Sequence, residues 1–141
     1  MHRVSAGSSV SGAMLVLLAA VAAAAQDTAR GGDLYLRHCA ASHGLSAHGN
    51  GPMAPVLLIQ PTDPTALAAR EGGSFPLTRV LRRIDGRDPL VSRGSPMPVR
   101  GPFFEGQGAD AALKRPDGQP VLMPGPVADV PVWLRSVQVA E

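Results

Sequence analysis

One cysteine, one tryptophan, one tyrosine and three phenylalanines are all that this chain of 141 residues holds of those types. A lone cysteine excludes an internal disulfide, the usual staple of small exported domains. So thin an aromatic inventory leaves a core of this size marginal; a bound apolar cofactor would fill the gap. An excess of one charge is lacking too, with 13 basic against 11 acidic side chains, and nothing in that balance supports nucleic-acid binding. The longest apolar run, "AMLVLLAAVAAAA" from Ala13 to Ala25, has 13 residues. A spanning helix needs roughly 20.

That run follows His2, Arg3 and a short polar stretch and ends in small side chains, the pattern of an export signal. Residues 1–25 are therefore read as a signal peptide cleaved near Ala25, which places residues 26–141 in the periplasm as one domain. Retention of the leader would instead make it a membrane anchor. Loss of Arg3 leaves 12 basic against 11 acidic residues, a nearly neutral mature chain.

What the sequence has in quantity is glycine, 16, and proline, 14. Such punctuation favours short helices joined by irregular loops. A first helix is expected after the leader, capped by Asp27 or Thr28 and carrying Leu34, Tyr35 and Cys39 at helical offsets. Gly31, four residues before Tyr35, suits a point where another helix crosses closely. Residues 44–63 read as a long loop. "DPTALAARE" (Asp63 to Glu71) reads as a short helix that Gly72 and Gly73 end. "SFPLTRVLRRID" is a second one, with Ser74 as a cap and Leu77, Val80, Leu81 and Ile84 as its buried face. Arg79, Arg82 and Arg83 then point toward solvent. From Gly86 to Gly125 no strand-like alternation persists. "PVADVPVWLRSVQ" closes the chain as an amphipathic helix that either kinks or begins at Pro131. The expected fold is all-α: short helices and long loops.

The chemistry concentrates in "CAASH". Residues four apart on a helix share a face, so Cys39 and His43 address one object. A thiol that captures a vinyl group beside an imidazole that ligates iron is the demand behind the haem-attachment motif C-x-x-C-H. Here Ser42 occupies the place of the second thiol, so one thioether is the most this chain forms. Copper is the competing metal, since Cys39, His43, His48 and Met53, with His38 nearby, offer a thiolate, imidazoles and a weak thioether. Such sites belong to β-sandwiches, not to a cysteine ending a helical pattern. Catalysis finds no support: Ser42 beside His43 is not a hydrolase arrangement, and no G-x-S-x-G elbow occurs.

With "GGDLYLRHCAASHG", "GNGPMAPVL", "GSPMPVRGPFF" and the closing segment around Trp133 and Leu134, the chain resembles a bacterial class I monohaem cytochrome c over residues 28 to 138. The resemblance implies a cytochrome c-like fold around one haem and a periplasmic one-electron carrier, not an enzyme. It makes Cys39 the covalent attachment point, Ser42 the replaced second attachment cysteine and His43 the proximal iron ligand. The distal ligand is then Met97, flanked by Pro96 and Pro98, in preference to Met123. Gly31 and Tyr35 become the contact of the first helix with the last, where Trp133 and Leu134 answer. Gly49 to Gly51 and Pro52 shape the loop on the proximal side. The cofactor is a single-thioether haem c, with noncovalent haem or none as the alternatives. Partners are redox proteins such as a dehydrogenase or oxidase complex, with no nucleic acid, and a membrane only if the leader is kept. The alternative function is a haem-less, degenerate cytochrome c-like interaction subunit of a redox complex.

Overall fold

The computed structural model describes residues 28–86, 97–98, 100–107, 110–114 and 117–139. The expected signal peptide, residues 1–25, lies outside them. The first helix runs over 28–38 and, after a turn at Cys39, continues into a short helix Ala40–His43. The amide of Cys39 bonds the Tyr35 carbonyl at 2.8 Å and that of His43 bonds the Cys39 carbonyl at 2.9 Å. The i to i+4 pattern therefore survives the junction, and Cys39 and His43 stay on one face.

Residues 44–63 form the expected loop, with one 3₁₀ turn at Ala54–Val56. The Asp63 side chain then accepts from the Thr65 amide at 2.8 Å, capping a 3₁₀ turn Pro64–Ala66 that leads into the helix Leu67–Arg70. The helix Leu77–Asp85 buries Leu77, Val80, Leu81 and Ile84. Its N-cap is Pro76 rather than Ser74, and no side chain caps it. Gly86 ends it in the left-handed region, its amide on the Arg82 carbonyl.

The all-α expectation is corrected by a two-stranded antiparallel sheet. Asp110–Lys114 pairs with Pro120–Pro124, in register from Asp110 opposite Pro124 to Lys114 opposite Pro120. Prolines at both ends of the second strand and alanines in the first hide it from propensity; at a strand start or an edge a proline costs no ladder bond. The turn signal was nevertheless present. Asp117 accepts from the Gln119 amide at 3.0 Å and Gly118 takes φ 83°, the usual work of an Asp-Gly pair.

The last helix, Gly125–Ser136, is continuous through Pro131, which is fully buried. The missing backbone bond costs about 3 kcal/mol in an ordinary helix interior; here Val127, Val130, Pro131 and Leu134 bury an apolar side that offsets it. This helix crosses the first one at Gly31. A Cβ on Gly31 would overlap the Asp129 carbonyl and stand 2.9 Å from the Trp133 Cβ. One turn on, the Tyr35 and Trp133 rings lie 4.4 Å apart, and Arg30 pairs with the buried Asp129 at 3.2 Å. The Tyr35 hydroxyl donates to the Gly44 carbonyl at 2.7 Å, so the crossing also fixes where the chain leaves His43. Burial drives the Tyr35 phenol well above its ordinary range, with Cys39 and Asp63 adding to the effect. Among the described residues no helix is long and apolar enough to cross a membrane.

Candidate functional site

A cleft of about 360 Å³ opens between the Cys39–His43 segment, the helix Leu77–Asp85 and the last helix. That volume falls in the range of small-molecule sites, about 300–1,000 Å³. Leu67, Val80, Ile84, Val130 and Leu134 give it apolar walls. Three of the residues singled out in the sequence line it together: Cys39, His43 and Met97. Ser42 does not, although it lies on the same short helix. Met123 does not either: it is 8 % exposed, on the second strand and within the hydrophobic core. Met53 sits half exposed outside the cleft.

His43 reaches the cleft with one nitrogen already committed. Its Nδ1 lies 2.9 Å from the Thr62 carbonyl. A carbonyl only accepts, so Nδ1 carries the proton and the neutral ring is left with its lone pair on Nε2. That is the state in which an imidazole ligates a metal, and a backbone acceptor on the far nitrogen is the usual way such a ligand is oriented. Thr62, an exposed residue between Pro61 and Asp63 in a loop 19 residues away, carries no sequence signal for this role.

Cys39 is a thiol, not a thiolate. Burial pushes it up to about 11, against a smaller opposing effect of the Arg100 guanidinium. Without a bound group the sulfur therefore keeps its proton at neutral pH. The copper set fails to converge. His38 lies edge-on to Phe103 and Phe104, with centroids 5.3 and 5.2 Å away, and burial, then Arg100 and Arg37, lower its pKa. His48 turns to Asp63 instead. Among the described residues no three His, Cys, Asp or Glu side chains gather around a common point.

Met97 is placed by its neighbours. The Arg100 amide donates to the Ile84 carbonyl at 2.8 Å, so the chain leaving the helix Leu77–Asp85 is back beside its end three residues after Met97.

Arg79 and Arg83 are exposed, in keeping with the expected solvated face. Both line the cleft, with Arg70, next to Val80 and Ile84. Arg79 also pairs with Glu71 at 2.5 Å. Their i, i+4 spacing beside two buried residues was the available signal. An apolar interior bordered by guanidinium groups suits a flat apolar ring system bearing carboxylates. Cys39, His43 and Met97 add a thiol, a free imidazole nitrogen and a thioether to it, and this donor set fits a porphyrin iron. No known protein family, no curated protein and no solved structure matches the chain.

Proposed function

We propose that the chain is a periplasmic electron-transfer protein of the cytochrome c kind. Cys39 would hold the haem by a single thioether, and His43 and Met97 would be its axial ligands. The observation that carries the reading is the meeting of these three side chains in one apolar cleft, with His43 presenting Nε2 to it. When bound, the haem supplies an iron that takes up and gives back one electron. His43 and Met97 would be the residues that hold the iron, and thioether ligation by Met97 would raise its reduction potential. The Leu67, Val80, Ile84, Val130 and Leu134 walls would keep water from a bound haem, and the Arg70, Arg79 and Arg83 guanidinium groups would be available to its carboxylates. With one tether the macrocycle still remains at high effective concentration. Such a protein passes electrons to partner proteins and needs no substrate pocket.

A second reading, a haem-less subunit that docks on a redox complex, is favoured by a run of exposed apolar side chains at Val56, Leu58 and Ile59.

Export from a host competent in haem attachment separates the two. The carrier is red, low-spin, and heavier than its mature polypeptide by one porphyrin. His43→Ala abolishes the low-spin spectrum, and Met97→Ala keeps the haem but opens the sixth position. A colourless product of polypeptide mass overturns the haem reading; an unchanged low-spin spectrum in Met97→Ala overturns the distal assignment.

A further inference from the structure

The geometry points to His48, Asp63 and Thr65 as positioning residues for His43: together they fix the peptide group whose carbonyl selects the tautomer of its ring. The Thr62 carbonyl that accepts from His43 Nδ1 belongs to the peptide joining Thr62 to Asp63. On the far side of that peptide the Asp63 carboxylate is held at three points. Its Oδ1 accepts from the Thr65 amide at 2.8 Å and from the Thr65 hydroxyl at 2.6 Å, and its Oδ2 faces His48 Nδ1 at 3.5 Å. The Thr65 hydroxyl has one proton, already given to Asp63. At its 3.2 Å contact with His48 Nδ1 the hydroxyl oxygen must therefore accept, and His48 Nδ1 is the donor. Burial raises the Asp63 carboxyl, but the Thr65 and His48 contacts outweigh it and hold its pKa below the ordinary value.

The His43 side of the peptide is closed by backbone alone. The Gly49 amide donates to the His43 carbonyl at 2.8 Å. Gly49, at φ 74°, lies so close to the next segment that a Cβ there would stand 2.6 Å from the Pro61 oxygen and 3.0 Å from the Thr62 carbonyl carbon. A circuit results: His43 to Gly49, Gly49 to Thr62, and Thr62 back to the His43 ring, with His48 and Asp63 bracing it from outside. Neither side chain lines the cleft, so both act on His43 only through Thr62.

The tautomer is a property of the chain itself; only its redox consequence rests on His43 being an iron ligand. The test uses the full chain without haem, labelled with ¹⁵N, at about pH 8, where an imidazole is neutral. Long-range proton–nitrogen correlation then reads which ring nitrogen of His43 carries the proton. We expect the Nδ1–H form in the parent protein, and a shift of about fivefold toward Nε2–H in Asp63→Ala and His48→Ala, the equivalent of one ordinary hydrogen bond. Gly118→Ala, remote from the circuit, leaves the ratio unchanged. If Asp63→Ala does not fold, the partly exposed His48 decides alone. An Nε2–H parent overturns the proposal and also removes the free Nε2 on which the haem reading rests, whereas an unchanged ratio in a folded His48→Ala overturns the proposal without touching the haem reading. A colourless protein with the expected tautomer shift does the reverse. In haem-loaded material the same variants raise the reduction potential, because a weaker Nδ1 hydrogen bond makes the imidazole a poorer donor to ferric iron.

Discussion

Replacing Gly31 by alanine tests the crossing on which the cleft is built. Two effects oppose each other. Alanine in a helix interior is favoured over glycine by about 1 kcal/mol. Against that, the new methyl would overlap the Asp129 carbonyl oxygen, stand 2.8 Å from its carbon and 2.9 Å from the Trp133 Cβ. Carbon atoms in good contact are about 3.5–4.0 Å apart, so the two helices must part by about 1 Å. Neither obstacle can rotate away, because both are backbone or the first atom of a side chain. The cost then lies toward the upper end of ordinary overpacking, about 3 kcal/mol. The net loss is about 2 kcal/mol, which for a domain of this size lowers Tm by about 8 °C. Gly32→Ala is the matched control. It carries the same helix gain, but its methyl meets only the Trp133 ring, 3.0 Å from Nε1, and a ring can turn. Thermal melts of both variants, followed by far-UV circular dichroism, give the comparison. A Gly31→Ala protein melting at or above the Gly32→Ala protein would refute the close crossing.

Cys39 predicts a pH dependence. A free thiol titrates near 9.0 and the folded one near 11, so below pH 9 both states keep the proton, and between those values only the unfolded chain releases it. Stability in the haem-free protein therefore falls as pH rises from about 9 to about 11, Tyr35 acting in the same sense. Urea titrations should show Cys39→Ala with the flatter profile over that interval, and equal slopes would count against burial of the thiol. Gly118→Ala isolates backbone strain in the hairpin turn, since the nearest atom to a new Cβ is the Lys114 Cε at 4.0 Å. Its left-handed φ costs an alanine about 1 kcal/mol, read as a small drop in Tm with no change in the cleft; a gain in Tm would mean that the turn is not formed as described.

What could be read from the sequence is what is local. Cys39 and His43 share a face because four residues make about one helical turn, and the chain states that spacing outright. Gly31 was readable because a glycine inside a helix needs a reason, and a neighbouring helix is the commonest one. Asp63, Pro64 and the Gly72–Gly73 pair punctuate their short helix by capping rules that need no tertiary information. Thr62 is not legible in the sequence: its role depends on the loop closing back over 19 residues, and the accepting carbonyl belongs to the main chain, which every residue has. Arg79 and Arg83 are exposed as their charge suggests, but that they also border the cleft depends on which elements pack across from their helix, which the sequence does not state. The hairpin is not legible in the sequence either. Its turn residues are conventional, but five-residue strands of alanine, leucine and proline carry little β preference, and the pairing of one with the other supplies what propensity lacks. The passage through Pro131 belongs with it, since burial on the last helix overrides a local rule that the sequence alone would enforce.

The bond from the Arg100 amide to the Ile84 carbonyl fixes Met97 by a count of three residues back along the main chain. A main-chain bond is indifferent to the side chain at position 100 but not to the loss of its proton. Proline alone among substitutions there would remove it, and with it the hold of the helix Leu77–Asp85 on the thioether that shares the cleft with Cys39 and His43.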